Sequence, residues 1–349
     1  MESKNLAALV EYFESGCKKE ELLGVELEHF VINKETRKSL AYENGLEIIL
    51  QRLQPLYGEA IMSEGRIIGI TGSNADITLE PAAQMEISIH PSPFITEIRD
   101  IYNHFTTTLA PILEEMDCEL FCAGYHPVSK AADMPLIPKK RYEYMDEHFK
   151  STGTHGLYMM RGTASAQVNI DYKSEDDFRI KYRIACLLTP VLSFLFDRSK
   201  VFEGAPYDKK ALRDFIWKNV DPARVLPPKN SLNMSFTDYA KYIYDMPPIF
   251  ILRENEAVYT GNKPNREIFA DKLLTLEDIE HITSMAFPHV RLKNRIELRM
   301  ADSMPIEQTL MFTALVRDIF YKCASDDFEK SVPSHVIAGL EGILKSAEY

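Results

Sequence analysis

Apolar residues recur along the chain with two different periods, which predict two kinds of secondary structure. Spacings of three and four residues predict helices over residues 5–13, 93–116, 175–196, 235–244, 306–321 and 335–346. Alternation with polar residues predicts strands in GVELEHFVI, QMEISIH, THGLYMMR, TASAQVNIDY and RIELRMAD, which begin at Gly24, Gln84, Thr154, Thr163 and Arg295. Short turns join neighbouring strands, so the sequence predicts an α+β protein with a mostly antiparallel sheet and a helical shell.

No internal repeat, low-complexity tract or Gly/Ser linker divides the sequence. We therefore expect residues 1–349 to form a single domain. The stretch 201–232 contains several prolines and is a candidate insertion or lid. A second irregular stretch, MPLIPKKRY from Met134, combines prolines with basic residues, and loops of this kind often carry substrate contacts.

Successive side chains of a strand point to opposite faces of a sheet, so each alternating run separates into two sets. In four of the runs one set is polar and the other apolar. The polar sets contain Glu26 and Glu28, then Glu86 and Ser88, then Gln167 and Asn169, and finally Arg295, Glu297 and Arg299. If these strands are neighbours, their polar sets share one face.

A polar face can simply be the solvated side of an antiparallel sheet. These faces, however, carry glutamates at alternate positions together with amides and arginines. Two carboxylates 4 Å apart repel by roughly 4 kcal/mol at an effective dielectric near 20, so a cluster of them needs a cation. Oxygen ligands select Mg²⁺ or Mn²⁺, and no His/Cys cluster indicates zinc. Glu80 in ITLEPAAQME is a further candidate ligand, with an ordinary turn carboxylate as the alternative.

Charge and composition narrow the class of partner. Asp plus Glu outnumber Lys plus Arg by 52 to 40, so a net charge of −12 gives no reason to expect nucleic acid. No apolar run reaches membrane-spanning length, and the N-terminus lacks the apolar segment of a secretory signal. We expect reduced thiols and a cytoplasmic location from the scattered cysteines Cys17, Cys118, Cys122, Cys186 and Cys323.

The common nucleotide-binding motifs are missing from the sequence. It has neither a GxxxxGK(S/T) loop nor a GxGxxG turn after a strand, which disfavours P-loop and Rossmann folds. An acidic sheet face that binds Mg²⁺ beside several arginines can instead hold a triphosphate. The residues alone therefore predict a metal site that is suited to phosphate.

Six blocks in this order carry a family resemblance: GVELEHF, ITLEPAAQMEIS, MPLIPKKRYEYM, HGLYMMRGTASAQVNID, RDFIWKNVDPAR and FPHVRLKNRIELRMAD. Together they resemble the plant-type glutamate-cysteine ligases, and they span residues 24–302. The resemblance implies a glutamine-synthetase-like fold, in which a curved, mostly antiparallel sheet forms a funnel for ATP, metal ions and amino acids. The three departures lie after the LEP motif, at MMRGT and at SMP.

The resemblance also implies roles for individual residues. Positions similar to the family's Mg²⁺ ligands are Glu26, Glu28, Glu80, Glu86, Gln167 and Glu297. Arg299 matches an arginine that meets the transferring phosphate, and it forms the catalytic pair with Glu297. Contacts to substrate or nucleotide are expected from Asn169, Arg291, Arg141, Tyr142, Arg213 and Trp217. Arg161 is displaced by one position from the family pattern, which on a strand would turn it to the opposite face unless a bulge intervenes.

The activity implied is ATP- and Mg²⁺-dependent ligation of the L-glutamate γ-carboxylate to the α-amine of L-cysteine through γ-glutamyl phosphate. The product would be γ-glutamylcysteine, the first intermediate of glutathione-type thiol synthesis, with ATP as co-substrate. One alternative is the same chemistry with another amine or carboxylate. Another is a non-catalytic homologue that binds ATP or an amino acid. The sequence indicates neither the oligomeric state nor the base that deprotonates the amine.

Overall fold

The alternating runs form the centre of a large antiparallel sheet. The computed structural model describes residues 1–253, 256–322 and 334–346. The strands are β1 (Leu23–Asn33), β2 (Gly58–Ser63), β3 (Arg66–Gly72), β4 (Ala75–Leu79), β5 (Met85–Ser92), β6 (Cys118–Phe121), β7 (Ser165–Ile170), β8 (Val201–Phe202), β9 (Ala205–Pro206), β10 (Ile249–Arg253), β11 (Glu256–Gly261), β12 (Val290–Leu292) and β13 (Ile296–Asp302). The main sheet has the order β12-β13-β7-β1-β5-β4-β3-β2, and β6 also pairs with β1.

Helices surround this sheet. They are α1 (Glu2–Glu14), α2 (Glu47–Tyr57), α3 (Ile95–Glu115), α4 (Lys140–Thr152), α5 (Gly156–Gly162), α6 (Glu175–Leu195), α7 (Leu212–Lys218), α8 (Pro222–Val225), α9 (Phe236–Asp245), α10 (Asn265–Ile268), α11 (Leu276–Ser284), α12 (Ile306–Arg317) and α13 (Ser334–Ser346). All six predicted helices are present. The predicted helix 306–321 consists of α12 followed by a π-helical turn, Asp318–Lys322.

The prediction of a strand in THGLYMMR was wrong, because this segment forms the helix α5. Its apolar run is short enough to satisfy either period, and Leu and Met favour helix over strand. The Met159 amide donates to the His155 carbonyl, and the Thr163 hydroxyl donates back to the Met159 carbonyl. Arg161 therefore projects from a helix, and the question of a strand face does not arise.

The two faces of β1 have different surroundings. Val25, Leu27 and Val31 are buried in the hydrophobic core. On the same face, His29 Nε2 lies 2.9 Å from the Tyr102 hydroxyl of α3, and burial lowers the pKa of His29 to about 4. The core thus occupies one side of the sheet, and the alternating glutamates point to the other.

The stretch 201–232 is less irregular than predicted, since it contains the β8–β9 hairpin and the helices α7 and α8. Its role as a lid stays a prediction. Among the described residues, none of the helices combines the length and apolarity needed to cross a membrane. Cys17, Cys118, Cys122 and Cys186 are free thiols, and Cys323 lies outside the described residues.

A buried ionic cluster ties α4 to α8. His148 Nε2 lies 2.9 Å from Asp221 Oδ2, and Arg224 Nε donates to the same oxygen at 2.7 Å. Burial by itself raises the pKa of Asp221, but the His148 hydrogen bond and the Arg224 charge outweigh it and leave that pKa below its ordinary value. The cluster therefore favours the ionised carboxylate in the folded protein.

This cluster predicts a pH dependence of stability. A carboxyl whose folded pKa is depressed stabilises the protein above its unfolded pKa, about 3.9 for Asp, and this contribution is lost as the pH falls. We expect Asp221→Asn to lower the free energy of unfolding at pH 7 and to reduce its decline towards pH 3. Urea denaturation at several pH values measures both. Parallel pH profiles for wild type and variant would contradict the assignment.

Candidate active site

Five adjacent strands, β4, β5, β1, β7 and β13, present polar side chains to a cavity of about 310 Å³. The wall contains most of the site residues predicted from sequence: Glu26, Glu28, Glu80, Glu86, Gln167, Arg141, Tyr142, Trp217, Arg291 and Arg299. Asn169, Arg213, Glu297 and Arg161 lie outside this lining. Asn169, Arg213 and Glu297 contact residues of the wall. Arg161 instead forms hydrogen bonds with helix α4 and the segment before it.

The acidic part of the wall follows from strand register. Glu28 of β1 lies opposite Glu86 of β5, and Glu26 lies opposite Gln167 of β7. Glu28 accepts hydrogen bonds from the Ser165 amide at 2.7 Å and the Ser165 hydroxyl at 2.8 Å. The antiparallel pairing therefore fixes two glutamates side by side, and hydrogen bonds to β7 orient one of them.

Electrostatics makes this arrangement unfavourable without a counter-charge. Burial and then the charge of Glu80 raise the pKa of Glu28 to about 7. Burial and then the charges of Glu26, Glu80 and Glu28 raise the pKa of Glu86 well above its ordinary value. Carboxyls that are forced together in this way are the hard oxygen donors that Mg²⁺ or Mn²⁺ takes.

The carboxylate oxygens of the wall are of the type that binds Mg²⁺ or Mn²⁺, but their positions do not form a complete coordination site. In the part of the chain described, no group of three or more His, Cys, Asp or Glu side chains is arranged to hold a metal ion. Gln167 donates its amide nitrogen to Glu28 at 3.2 Å and turns its oxygen to Arg299. The Gln167 amide would have to rotate to ligate a cation, so its role as a ligand stays a prediction.

The opposite part of the wall is cationic and comes from the β12–β13 hairpin. Its centre is Glu297, which is 1% exposed and paired with Arg291. Three further cations approach its carboxylate, at 3.0 Å for Lys293, 3.3 Å for Arg295 and 3.8 Å for Arg299. Burial alone would raise the pKa of Glu297, but these four charges hold it well below its ordinary value.

Glu297 thus organises an excess of positive charge next to the glutamates. Its Oε1 has no aligned hydrogen-bond donor among the described residues, but the cationic groups of Lys293 and Arg295 lie 3.0 and 3.3 Å from it. Burial lowers the pKa of Lys293 to about 8 and that of Arg299 to about 10, with the charge of Arg291 acting in the same direction. An entering phosphate would offset this crowding of positive charge.

Residues of helix α7 form hydrogen bonds with β13 and with the residue before β12. Arg213 donates to the Arg299 carbonyl at 2.8 Å, and Asp214 Oδ1 lies 2.7 Å from His289 Nε2. Trp217, one turn further along, reaches the cavity wall beside Phe287. Arg213 therefore positions the backbone of Arg299, and its expected contact with substrate stays a prediction.

Asn169 and Tyr142 also have definite partners. Asn169 donates to Glu26 Oε1 at 2.9 Å and accepts from Arg295 Nε at 3.1 Å, so it links the acidic and cationic parts. The Tyr142 hydroxyl donates to the Leu79 carbonyl at 3.3 Å, next to Glu80. Tyr142 thereby presents its ring to the cavity wall.

Arg161 forms a structural contact. Its guanidinium donates to Asp146 Oδ1 at 2.8 Å and to the Met134 carbonyl at 2.9 Å. These bonds join α5 to α4 and to the segment before it. Both terminal nitrogens of the guanidinium therefore have acceptors outside the cavity lining, and the expected substrate contact of Arg161 stays a prediction.

We expect Arg161→Met to act mainly on stability. Loss of two hydrogen bonds, one of them charged, should lower the free energy of unfolding by about 1.5–3 kcal/mol. At temperatures where the variant is folded, its substrate KM values should stay within about threefold of wild type. Chemical denaturation and steady-state kinetics separate the two effects. A large rise in KM at unchanged stability would restore the original expectation.

The turn after the LEP motif, where the sequence departs from the related pattern, contains a residue with an unfavourable backbone conformation. Ala83, where the related pattern has glycine, adopts a φ of 67°, a region that favours glycine. The turn is closed by the Ala83 amide, which donates to the Glu80 carbonyl at 3.0 Å. The geometry that places Glu80 at the cavity is therefore retained despite the missing glycine.

The sequence reasoning missed several wall residues. Lys139 and Lys293 line the cavity, and so does an apolar group made of Met145, Met159, Met160 and Phe287. Lys293 lies four residues before Glu297 in the hairpin turn, and its position could have been inferred from that spacing. The methionines come from α4 and α5, and the packing of those helices is not readable from a strand pattern.

The fold and the site together define a class of protein. A mostly antiparallel sheet that brings glutamates on one side of a cavity against arginines on the other agrees with the carboxylate-amine ligase fold that the sequence resemblance implied. Within that class, residues 22–335 match the family model of glutamate-cysteine ligase family 2. The chain belongs to this family.

Curated relatives agree with this assignment. The chain is 31% identical over 308 residues to the chloroplastic glutamate–cysteine ligase of Arabidopsis thaliana, covering 85% of this chain and 59% of that protein. It is 31% identical over 324 residues to the enzyme of Nicotiana tabacum, covering 90% and 62%. The chain therefore spans about three fifths of the length of these relatives.

A solved structure supports the fold. The crystal structure of the glutamate–cysteine ligase of Francisella tularensis in complex with AMP matches with a TM-score of 0.50 and 12% identity. The match covers 85% of this chain and 67% of the other. At this identity the likeness concerns the fold alone.

Proposed function

We propose that this protein joins the γ-carboxylate of L-glutamate to the α-amine of L-cysteine at the cost of one ATP. The observation that carries the proposal is the cavity with charges of two signs, in which Glu28 and Glu86 face a cationic hairpin built around Glu297. Membership of the glutamate-cysteine ligase family supports the choice of substrates, and the AMP complex of the Francisella tularensis enzyme supports a nucleotide.

The chemistry requires two displacements. In the first, a γ-carboxylate oxygen of glutamate attacks the γ-phosphorus of ATP, the bond to the β,γ-bridging oxygen breaks, and ADP leaves. In the second, the amine nitrogen attacks the γ-carbonyl carbon, the carbon–oxygen bond to phosphate breaks, and the amine loses one proton. Both steps move negative charge between oxygens, so positioning and charge stabilisation are the main requirements.

The chain supplies these requirements from its own residues. Arg299 lies where it can donate to equatorial phosphoryl oxygens, and Arg213 fixes its backbone. Glu26, Glu28, Glu80, Glu86 and Glu297 would hold Mg²⁺, which supplies charge neutralisation of the triphosphate when bound. The cytoplasmic location and the absence of nucleic-acid partners stay predictions.

A second candidate has the same chemistry with another amine. It is favoured by the apolar wall of Met145, Met159 and Phe287, which could also accept an amine with an apolar side chain in place of the thiol. Release of ADP with Mg²⁺, ATP and glutamate, measured with a panel of amines, separates the two. We expect cysteine to give the highest kcat/KM, with γ-glutamylcysteine as the product by mass spectrometry. ADP release that cysteine does not increase would reject the cysteine assignment.

A further inference from the structure

The segment of residues 284–287 runs from the end of helix α11 into the wall of the cavity. Ser284 and Phe287 line the cavity, and the two residues between them are fully buried. The Phe287 ring packs edge-on against Trp217, with 6.1 Å between the ring centres. The last carbonyl groups of a helix lack partners within the helix. The path of this segment therefore depends on donors from elsewhere in the chain.

Two buried arginines supply these donors. Arg291 donates to the Ser284 carbonyl at 3.3 Å and to the Ala286 carbonyl at 3.0 Å. Arg224 donates to the carbonyl of Met285, the residue between them, at 3.2 Å. Cations are favourable at the C-terminal end of a helix. Three consecutive carbonyls at the end of α11 thus bind the two guanidinium groups in alternation.

Arg224 holds the segment at a second point and is itself held firmly. Its backbone carbonyl accepts from the Phe287 amide at 2.8 Å. Its guanidinium, which is completely buried, also donates to Asp221 at 2.7 Å and to the Pro247 carbonyl at 2.8 Å. Its Nη2 lies 3.2 Å from His148 Nε2. Arg224 lies outside the cavity lining, so any effect on substrates must pass through the residues that it holds.

We propose that Arg224 is a positioning residue for the ligase reaction, because it fixes segment 284–287 and with it the Phe287 ring and the Arg291 guanidinium. The inference rests on the proposed function for the identity of the substrates. Arg291 is also paired with Glu297, the centre of the cationic hairpin. A shift of the segment would therefore move an apolar and a charged part of the wall together, and a misplacement of about 1 Å can cost about a hundredfold in rate.

Arg224→Lys separates positioning from stability. Lysine keeps the positive charge beside Asp221 but lacks the planar fork that reaches several acceptors at once. We expect the KM of at least one of Mg·ATP, L-glutamate and L-cysteine to rise about tenfold or more, as for loss of other supporting contacts. Partial unfolding lowers the amount of active enzyme and the apparent kcat but leaves KM unchanged. KM is therefore a readout that a merely structural role would not move.

Arg66 of β3 provides a matched control. Its guanidinium donates to Glu47 at 3.0 and 2.6 Å and to Glu43 at 2.6 Å, so it also binds several acceptors, but it lies outside the cavity lining. Arg66→Lys is the same chemical change and should leave every KM within twofold of wild type. Urea denaturation gives the stability of both variants, and the kinetics are measured at a temperature at which both are folded.

The single tryptophan of the chain, Trp217, gives a second readout that does not depend on activity. Because its ring contacts Phe287, a displacement of Phe287 changes the surroundings of the indole. We expect ligand-free Arg224→Lys to show a shifted emission maximum and stronger quenching by acrylamide than wild type. Arg66→Lys should give the wild-type spectrum and quenching.

The inference requires the change in KM and the change in fluorescence together. Either one without the other, or neither, would overturn it, and so would equal changes in Arg66→Lys. Failure of both Arg224→Lys and Arg224→Gln to fold would assign Arg224 to stability alone and would also overturn it. The proposed function fails separately, if wild type forms no ADP. Dissociation constants of the same three ligands, measured by calorimetry, then replace the KM values in the comparison.

Discussion

Replacing Arg299 by methionine should lower kcat by about 10²–10³-fold, the cost of removing one charge-stabilising donor from a transition state. Arg299 lines the cavity, and its guanidinium donates a hydrogen bond to Gln167. Its backbone carbonyl accepts a hydrogen bond from Arg213, and its backbone amide donates one to the His289 carbonyl. The backbone bonds survive the substitution, so the loss should fall on turnover. Steady-state kinetics with saturating ATP and glutamate measures it.

Arg295→Met is the matched control for this prediction. Arg295 belongs to the same hairpin and approaches the same Glu297 carboxylate at 3.3 Å, but it does not line the cavity. We expect its kcat to fall by about tenfold, the low end of the usual effect of losing a supporting contact. Equal losses in the two variants would assign the effect to the charge cluster as a whole. Arg299 would then have no special role at the phosphate.

Replacing Glu28 by glutamine should remove most of the effect of Mg²⁺ on the melting temperature. The metal-free variant should be at least as stable as the metal-free wild type. Glu28 is 9% exposed, lies opposite Glu86 and accepts two hydrogen bonds from Ser165. Loss of a supporting contact typically lowers the affinity for a metal by about 10–100-fold. Loss of a ligand such as Glu28 should lower the affinity for Mg²⁺ by more than that. Removal of one buried charge should at the same time relieve repulsion in the metal-free protein.

Thermal melts with and without Mg²⁺ measure both effects. In wild type, Mg²⁺ should raise the melting temperature because it binds the folded state. Glu28→Gln should melt at or above wild type without the metal and should shift little when it is added. Glu59→Gln on the exposed edge strand β2 is the control and should behave as wild type. A full Mg²⁺ shift in Glu28→Gln would remove Glu28 from the metal site.

The sequence was sufficient for the faces of the strands. A period of two places Glu26 and Glu28 on one side whatever strands lie beside them, so the acidic and apolar faces of β1 followed directly. The pairing of Glu28 with Glu86 depends on the register between strands separated by α2 and three further strands. That register is set by long-range packing, which alternation within a single strand does not encode.

The features that were not predicted correctly from the sequence lie in a short element or depend on the direction that a loop gives to a side chain. THGLYMMR was assigned to a strand because its apolar run fits two periods, and the question of which strand face carries Arg161 arose from that wrong assignment. Glu297 was expected as a metal ligand and as the catalytic partner of Arg299, but its ion pairs with Arg291 and Lys293 depend on the turn of the β12–β13 hairpin. Lys139 escaped notice because only the start of α4 determines that it turns into the cavity while Lys140 turns out.

If the cavity activates a carboxylate with ATP, one oxygen atom of that carboxylate must pass to the released phosphate, and this transfer can be measured. The protein is supplied with Mg²⁺, ATP, L-cysteine and L-glutamate labelled with ¹⁸O in its γ-carboxylate, and the released phosphate is analysed by mass spectrometry. We expect one ¹⁸O atom in each phosphate released, together with ADP and γ-glutamylcysteine. Phosphate without the label, or release of AMP and pyrophosphate, would contradict it.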